Sequence, residues 1–190
     1  MTLLRLAVAA GMLGVLATGL SSCLAEPKFS TTPEISFNNI NLTHISSPTL
    51  TGDSVTVTIN YQDGDGDLGL TASESAAAPY VGTRYAQNYF VEAFIKDKAS
   101  GQFVSLASLN RQKTTTAPIL YYTASEYYSR FEPITSEDNH APIKGVLNWK
   151  FVFPRQAPFF SGEEVRFQVS IADRALHESN TITTASVIFP

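Results

Sequence analysis

SVTVTINYQDGDGDLGL, residues 54–70, decides the fold. Val55, Val57, Ile59 and Tyr61 alternate with Thr56, Thr58 and Asn60. A period of two places the apolar set on one face of a half-buried strand. The alternation then stops. Asp63, Asp65 and Asp67 follow at every second position, separated by Gly64 and Gly66 and closed by Gly69. A strand therefore runs directly into an acidic, glycine-rich loop.

The same two-residue period recurs on both sides of this stretch. Residues 34–38 and 40–45 make a first, interrupted strand, and 46–53 (SSPTLTGD) is a turn-rich link. Residues 88–96 (NYFVEAFIK) are a strand, 97–101 (DKASG) a hairpin turn and 102–106 its return. Residues 143–153 place Leu147, Trp149, Phe151 and Phe153 on one face. Residues 164–172 alternate most cleanly, with Val165, Phe167, Val169 and Ile171 inward and Arg166, Gln168 and Ser170 outward. A polar loop, 173–180 (DRALHESN), leads to a last strand over 181–189. Residues 71–87 and 114–140 read as loops, with room for a short helical turn within 123–130. About seven strands, turn signals between them and no helical period predict an all-β, immunoglobulin-like antiparallel β-sandwich.

The N-terminus has the build of a signal peptide: Arg5, an apolar run over 6–20 (LAVAAGMLGVLATGL), then Leu20-Ser21-Ser22-Cys23. The Leu-Ser-Ser-Cys end resembles a bacterial lipobox. That resemblance implies that Cys23 becomes the first residue of the mature protein and carries, on its sulfur, palmitate-type chains that hold the protein at a membrane. Cys23 is the only cysteine, so no intrachain disulfide is available. The expected organisation is a lipoprotein signal peptide over 1–22, a lipidated tether over 23–33 and one sandwich over 34–190. Leu24 and Ala25 leave the lipidated residue without an aspartate beside it, a pattern that in some bacteria accompanies outer-membrane sorting. An exported protein, lipid-anchored in the bacterial outer membrane, is the resulting expectation.

Charge narrows the function classes. The chain carries 13 basic and 17 acidic side chains, and loss of residues 1–22, with Arg5 alone charged, leaves 12 against 17, or −5. A nucleic-acid partner calls for a basic face, and so does electrostatic binding to anionic lipid. Neither suits this balance.

The strand-DGDGDLG unit, with Asp63 to Gly69, the later strand carrying Ile143 and Gly145, and the terminal unit with Asp173, Arg174, Ser179 and Asn180 resemble a largely uncharacterised family. Its members are small Bacteroidota-type lipoproteins with one immunoglobulin-like domain. The likeness spans residues 33–190 and implies fold and location rather than an activity. The chain lacks the cysteine pair and central-strand tryptophan of antibody domains, so the implied sandwich is of the disulfide-free, fibronectin-like kind.

In an immunoglobulin-type order, residues 54–62 and 164–172 are strands B and F, which end at the same end of the sandwich. The acidic loop should then meet the 173–180 loop and bring Asp63, Asp65 and Asp67 near Asp173, Glu178 and Asn180. Calcium takes six to eight oxygens at about 2.3–2.6 Å. Aspartates two apart on a straight strand lie about 6.6 Å apart, so the glycines must curl the loop for Asp63, Asp65, Asp67 and Asp173 to share an ion. The pattern resembles the start of an EF-hand loop but departs from it at Leu68. The competing account needs no ion: Asp-Gly repeats form turns by themselves, and Arg174 can pair with the carboxylates.

Seven of the eight tyrosines lie between Tyr80 and Tyr128. Tyr121, Tyr122, Tyr127 and Tyr128 form either a platform for a protein or glycan partner or a cover over the sandwich edge. His44, His140 and His177 have no metal-ligand spacing, and no GxSxG elbow is present. A non-catalytic binding module, calcium-stiffened or not, is expected. The alternatives are an accessory subunit of an envelope complex without its own ligand and, third, a hydrolase.

Overall fold

The computed structural model describes residues 28–47, 51–136 and 140–190. The stretch expected to be a signal peptide, 1–22, and Cys23 lie outside the described residues. Eight strands follow in order: β1 (Glu34–Ser46), β2 (Thr51–Asp63), β3 (Tyr89–Lys96), β4 (Phe103–Ser105), β5 (Ile143–Pro154), β6 (Glu164–Ile171), β7 (Ile182–Thr183) and β8 (Val187–Ile188). They form two antiparallel sheets, β1-β2-β5 and β4-β3-β6-β7, with β8 also paired to β6. This is an all-β antiparallel sandwich, and its strand order can be written A-B-E and C′-C-F-G in the lettering used for immunoglobulin-like sandwiches.

The core is built by the alternations visible in the chain. Val55, Val57 and Ile59 of β2 are fully buried, as are Val165, Phe167, Val169 and Ile171 of β6. β2 is central in its sheet and β6 in the other, so each strand's backbone is paired on both sides. Each such side chain contributes about 1.5–3 kcal/mol when taken from water into the core. At the sandwich end away from the acidic loop, Phe153 meets Phe159 at 4.9 Å between ring centroids, and Phe159 meets Phe189 at 4.6 Å.

Several boundaries differ from the sequence expectation, each for a physical reason. The interruption in the first strand is a bulge between Phe37 and Asn39 within one continuous strand. β2 starts at Thr51, inside the expected link, because Asp53 and Ser54 are paired by strands on both sides and buried. Asp53 is matched there by His44, whose Nδ1 lies 2.9 Å from its Oδ1. The 71–87 loop contains two short helical turns: α1 (Ala72–Ser75), held by a reciprocal capping box between Thr71 and Glu74, and a 3-10 turn at Arg84–Ala86. The last strand is divided into β7 and β8. Between them Thr184 turns inward, and its Oγ1 accepts the Phe167 N–H at 3.0 Å.

Candidate cation site

β2 ends on Asp63, which pairs with Ile143 of β5 and is fully buried. From there the loop turns back on itself. Asp63 Oδ2 accepts the Asp67 N–H at 3.2 Å, and Gly66 and Gly69 take the left-handed backbone at φ 71° and 104°. Gly64 does not. Its need for glycine is one of space: a Cβ there would fall 2.5 Å from the Phe29 carbonyl oxygen.

Apolar anchors fix the far side of the loop. Leu68 and Leu70 are each 1% exposed. The Leu70 N–H bonds the Phe131 carbonyl at 3.0 Å, and the Ile134 N–H bonds the Leu68 carbonyl at 3.1 Å. Thr135 Oγ1 donates to the Gly66 carbonyl at 2.7 Å. Leu68 also bridges Asp173 across an antiparallel pair. The two polar loops therefore meet, as the strand order requires.

The curl brings the three carboxylates together. One oxygen from each of Asp63, Asp65 and Asp67 lies within 4.8 Å of the other two. Twice a calcium–oxygen distance of about 2.4 Å is the same separation, so the three oxygens fit one ion's sphere. The Oδ1 atoms of all three aspartates are shielded from solvent and have no hydrogen-bond partner among the described residues. At an effective dielectric of about 20, two charges 4.8 Å apart repel by roughly 3.5 kcal/mol, far more than a solvated turn would suffer. Burial of Asp63 thus makes full ionisation of the trio costly, a cost that a bound proton or a cation would relieve.

Proton affinities express the same conflict. Desolvation, then the charges of Asp65, Asp67 and Asp173, push Asp63 up to about 7. Asp67 is pushed to about 6, by desolvation first and then by Asp173 and Asp65.

Asp173 is buried beside the trio, but its oxygens are already engaged. Oδ1 accepts the His177 N–H at 2.7 Å, and Oδ2 lies 2.9 Å from His177 Nδ1. Desolvation raises Asp173 while these bonds oppose the rise. His177 is raised in turn, chiefly by its hydrogen bond to Asp173. Asp173 thus adds negative charge to the site from its rim. The compact ligand group is Asp63, Asp65 and Asp67.

Other expected neighbours have other tasks. Glu178 accepts from the Tyr85 hydroxyl at 2.8 Å and pairs with Arg84 at 3.4 Å. Asn180 brackets Ile35, accepting its N–H at 2.8 Å and donating to its carbonyl at 2.9 Å. Arg174 lies 3.2 Å from Glu74 Oε1, and its lowering of Asp67 is the last of five causes. It is no clasp for the acidic trio. The capping box that holds Glu74 was legible as Thr71-x-x-Glu74.

The four tyrosines of the expected platform divide. Tyr121 is exposed, Tyr122 and Tyr128 are half-buried, and Tyr127 is a core residue at 4% exposure. Tyr127 packs edge-on against Phe151 at 5.0 Å and Phe153 at 5.2 Å, while Tyr128 meets Phe90 at 5.0 Å. Tyr127 and Tyr128 line a cleft of about 290 Å³ beside β5, together with Trp149 and Phe131. Tyr127 and Tyr128 thus cover the sandwich edge, while Tyr121 stays on the surface.

No protein-family model, curated protein or solved structure matches the chain. Among the described residues no helix is long and apolar enough to cross a membrane.

Proposed function

We propose that the protein is an exported, lipid-anchored, non-catalytic module of the bacterial envelope whose acidic loop end binds calcium. One observation carries this reading: fully buried Asp63, whose Oδ1 has no hydrogen-bond partner among the described residues, brings a carboxylate oxygen within 4.8 Å of one from each of Asp65 and Asp67. A cation replaces their mutual repulsion with shared attraction and closes the loop end into a stiff surface. Main-chain carbonyls and water complete such a sphere in calcium sites generally. Magnesium demands a tighter octahedron at about 2.0–2.1 Å and keeps several waters, so three clustered carboxylates favour calcium.

Calorimetric titration of the chelator-treated protein tests this. Calcium should bind with one-site stoichiometry, magnesium at least about tenfold more weakly, and Asp65→Asn should abolish the heat. An Asp65→Asn protein that binds like the parent contradicts the assignment. The anchor is tested separately by fractionation. Cys23→Ala should move the protein from the membrane to the soluble fraction, and retention in the membrane would refute lipid anchoring through Cys23.

A further inference from the structure

The chain reaches β1 by passing over the acidic loop. Residues 28–33 form a strap without regular structure. A Cβ on Gly64 would lie 2.5 Å from the Phe29 oxygen and 2.7 Å from the Ser30 oxygen, so the strap's main chain seats directly on the residue between Asp63 and Asp65. Pro33 is buried. Beyond it, Glu34 pairs with Gln62 and Ile35 with Tyr61 at the end of β2. The second polar loop grips the same place, since Asn180 brackets the Ile35 backbone. Both loops that frame the carboxylates therefore also hold the segment by which the domain enters from its N-terminal side.

We infer that cation occupancy of the acidic loop controls the docking of this strap, and through it the reach and orientation of the domain above its anchor. The inference rests on the cation reading given above. With a cation shared by Asp63, Asp65 and Asp67, the loop keeps the curl that presents Gly64 as a flat seat. Without one, the carboxylates repel, the curl relaxes and the strap loses its seat. Six released residues extend the link by up to about 20 Å. The acidic site thus acts as a latch between domain and tether.

Cleavage after Lys28 by a lysine-specific protease that needs no calcium reads the latch in the full chain, held in detergent micelles. Millimolar calcium should slow cleavage of the Lys28–Phe29 bond by about tenfold relative to chelator, because cutting requires local opening. Cleavage at exposed Lys98, in the turn at the opposite end of the sandwich, should not change. If calcium raises the thermal midpoint but Lys28 is cut equally fast in both conditions, the latch is refuted while the cation site stands. If calcium leaves the midpoint unmoved, the cation reading fails and takes the latch with it. Gly64→Ala keeps all three carboxylates but displaces the strap. It should cut rapidly at Lys28 in either condition yet retain a calcium-induced rise in midpoint. Should that variant not fold, hydrogen exchange of residues 29–32 in the unmodified chain decides. Slower exchange in calcium is expected, and equal exchange overturns the inference.

Discussion

At the scale of the residue, Asp63 concentrates the conflict between charge and burial. Its carboxyl titrates at about 7 in the folded protein, against about 3.9 in an unfolded chain. Between those values the native state holds the extra proton. Stability from this group is therefore present at low pH and is lost as pH rises from about 4 through 7. Asp67, raised to about 6, acts in the same direction. Calcium requires the deprotonated carboxylates, so its contribution runs the opposite way. In chelator the melting temperature should fall between pH 5 and pH 8, while the increment added by calcium should grow over the same range. Asp63→Asn removes the charge and keeps the shape. At pH 8 in chelator it should raise stability by about 1 kcal/mol, a shift of roughly 2–4 °C, and it should abolish the calcium increment. A pH-independent midpoint in chelator, or an Asn variant that still responds to calcium, would contradict this account.

At the scale of the element, the segment joining β4 to β5 separates packing from display. Tyr127 fills the edge between the sheets, and its hydroxyl is buried without a hydrogen-bond partner among the described residues. Tyr127→Phe should therefore stabilise the domain by about 1 kcal/mol in urea unfolding. Tyr127→Ala should cost about 3–5 kcal/mol through the cavity it leaves. Equal losses for both would mean that the hydroxyl, not the ring, is what the site needs. A joint alanine replacement of the four tyrosines would confound partner loss with unfolding, so Tyr121 alone is the fair surface probe. This division was not legible in the chain, because residues 121–128 carry no regular period. What buries Tyr127 is contact with Trp149, Phe151 and Phe153, residues 22 to 26 positions away in sequence. The strands were legible for the converse reason: in β2 and β6 the two-residue alternation is itself the burial pattern.

At the scale of the whole molecule, strand order converts two distant polar stretches into one end of the sandwich. Leu68 and Asp173 are bridged although 105 positions separate them, and only the order of β2 and β6 in opposite sheets predicts that meeting. The acidic loop was visible as a motif. Its burial was not, because the 131–135 segment and Asp173, distant in the chain, close over it by pairing with Leu68 and Leu70. The strap on Gly64 was also hidden, since glycine in an Asp-Gly repeat ordinarily signals a turn and here leaves room for another stretch of backbone. The same end receives the chain from its N-terminal side, so a cation bound there would stiffen the part of the domain where residues 28–33 enter it. Thermal unfolding of the full chain at pH 7.5 in detergent, with chelator and then with millimolar calcium or magnesium, tests the central claim most directly. A site filled at about 100 times its dissociation constant stabilises by about 2.7 kcal/mol, a rise of roughly 5–11 °C in midpoint for a domain of this size. The account predicts that rise with calcium, little with magnesium and none in Asp65→Asn. Superimposable curves in chelator and calcium would make residues 63–69 an architectural turn and contradict it.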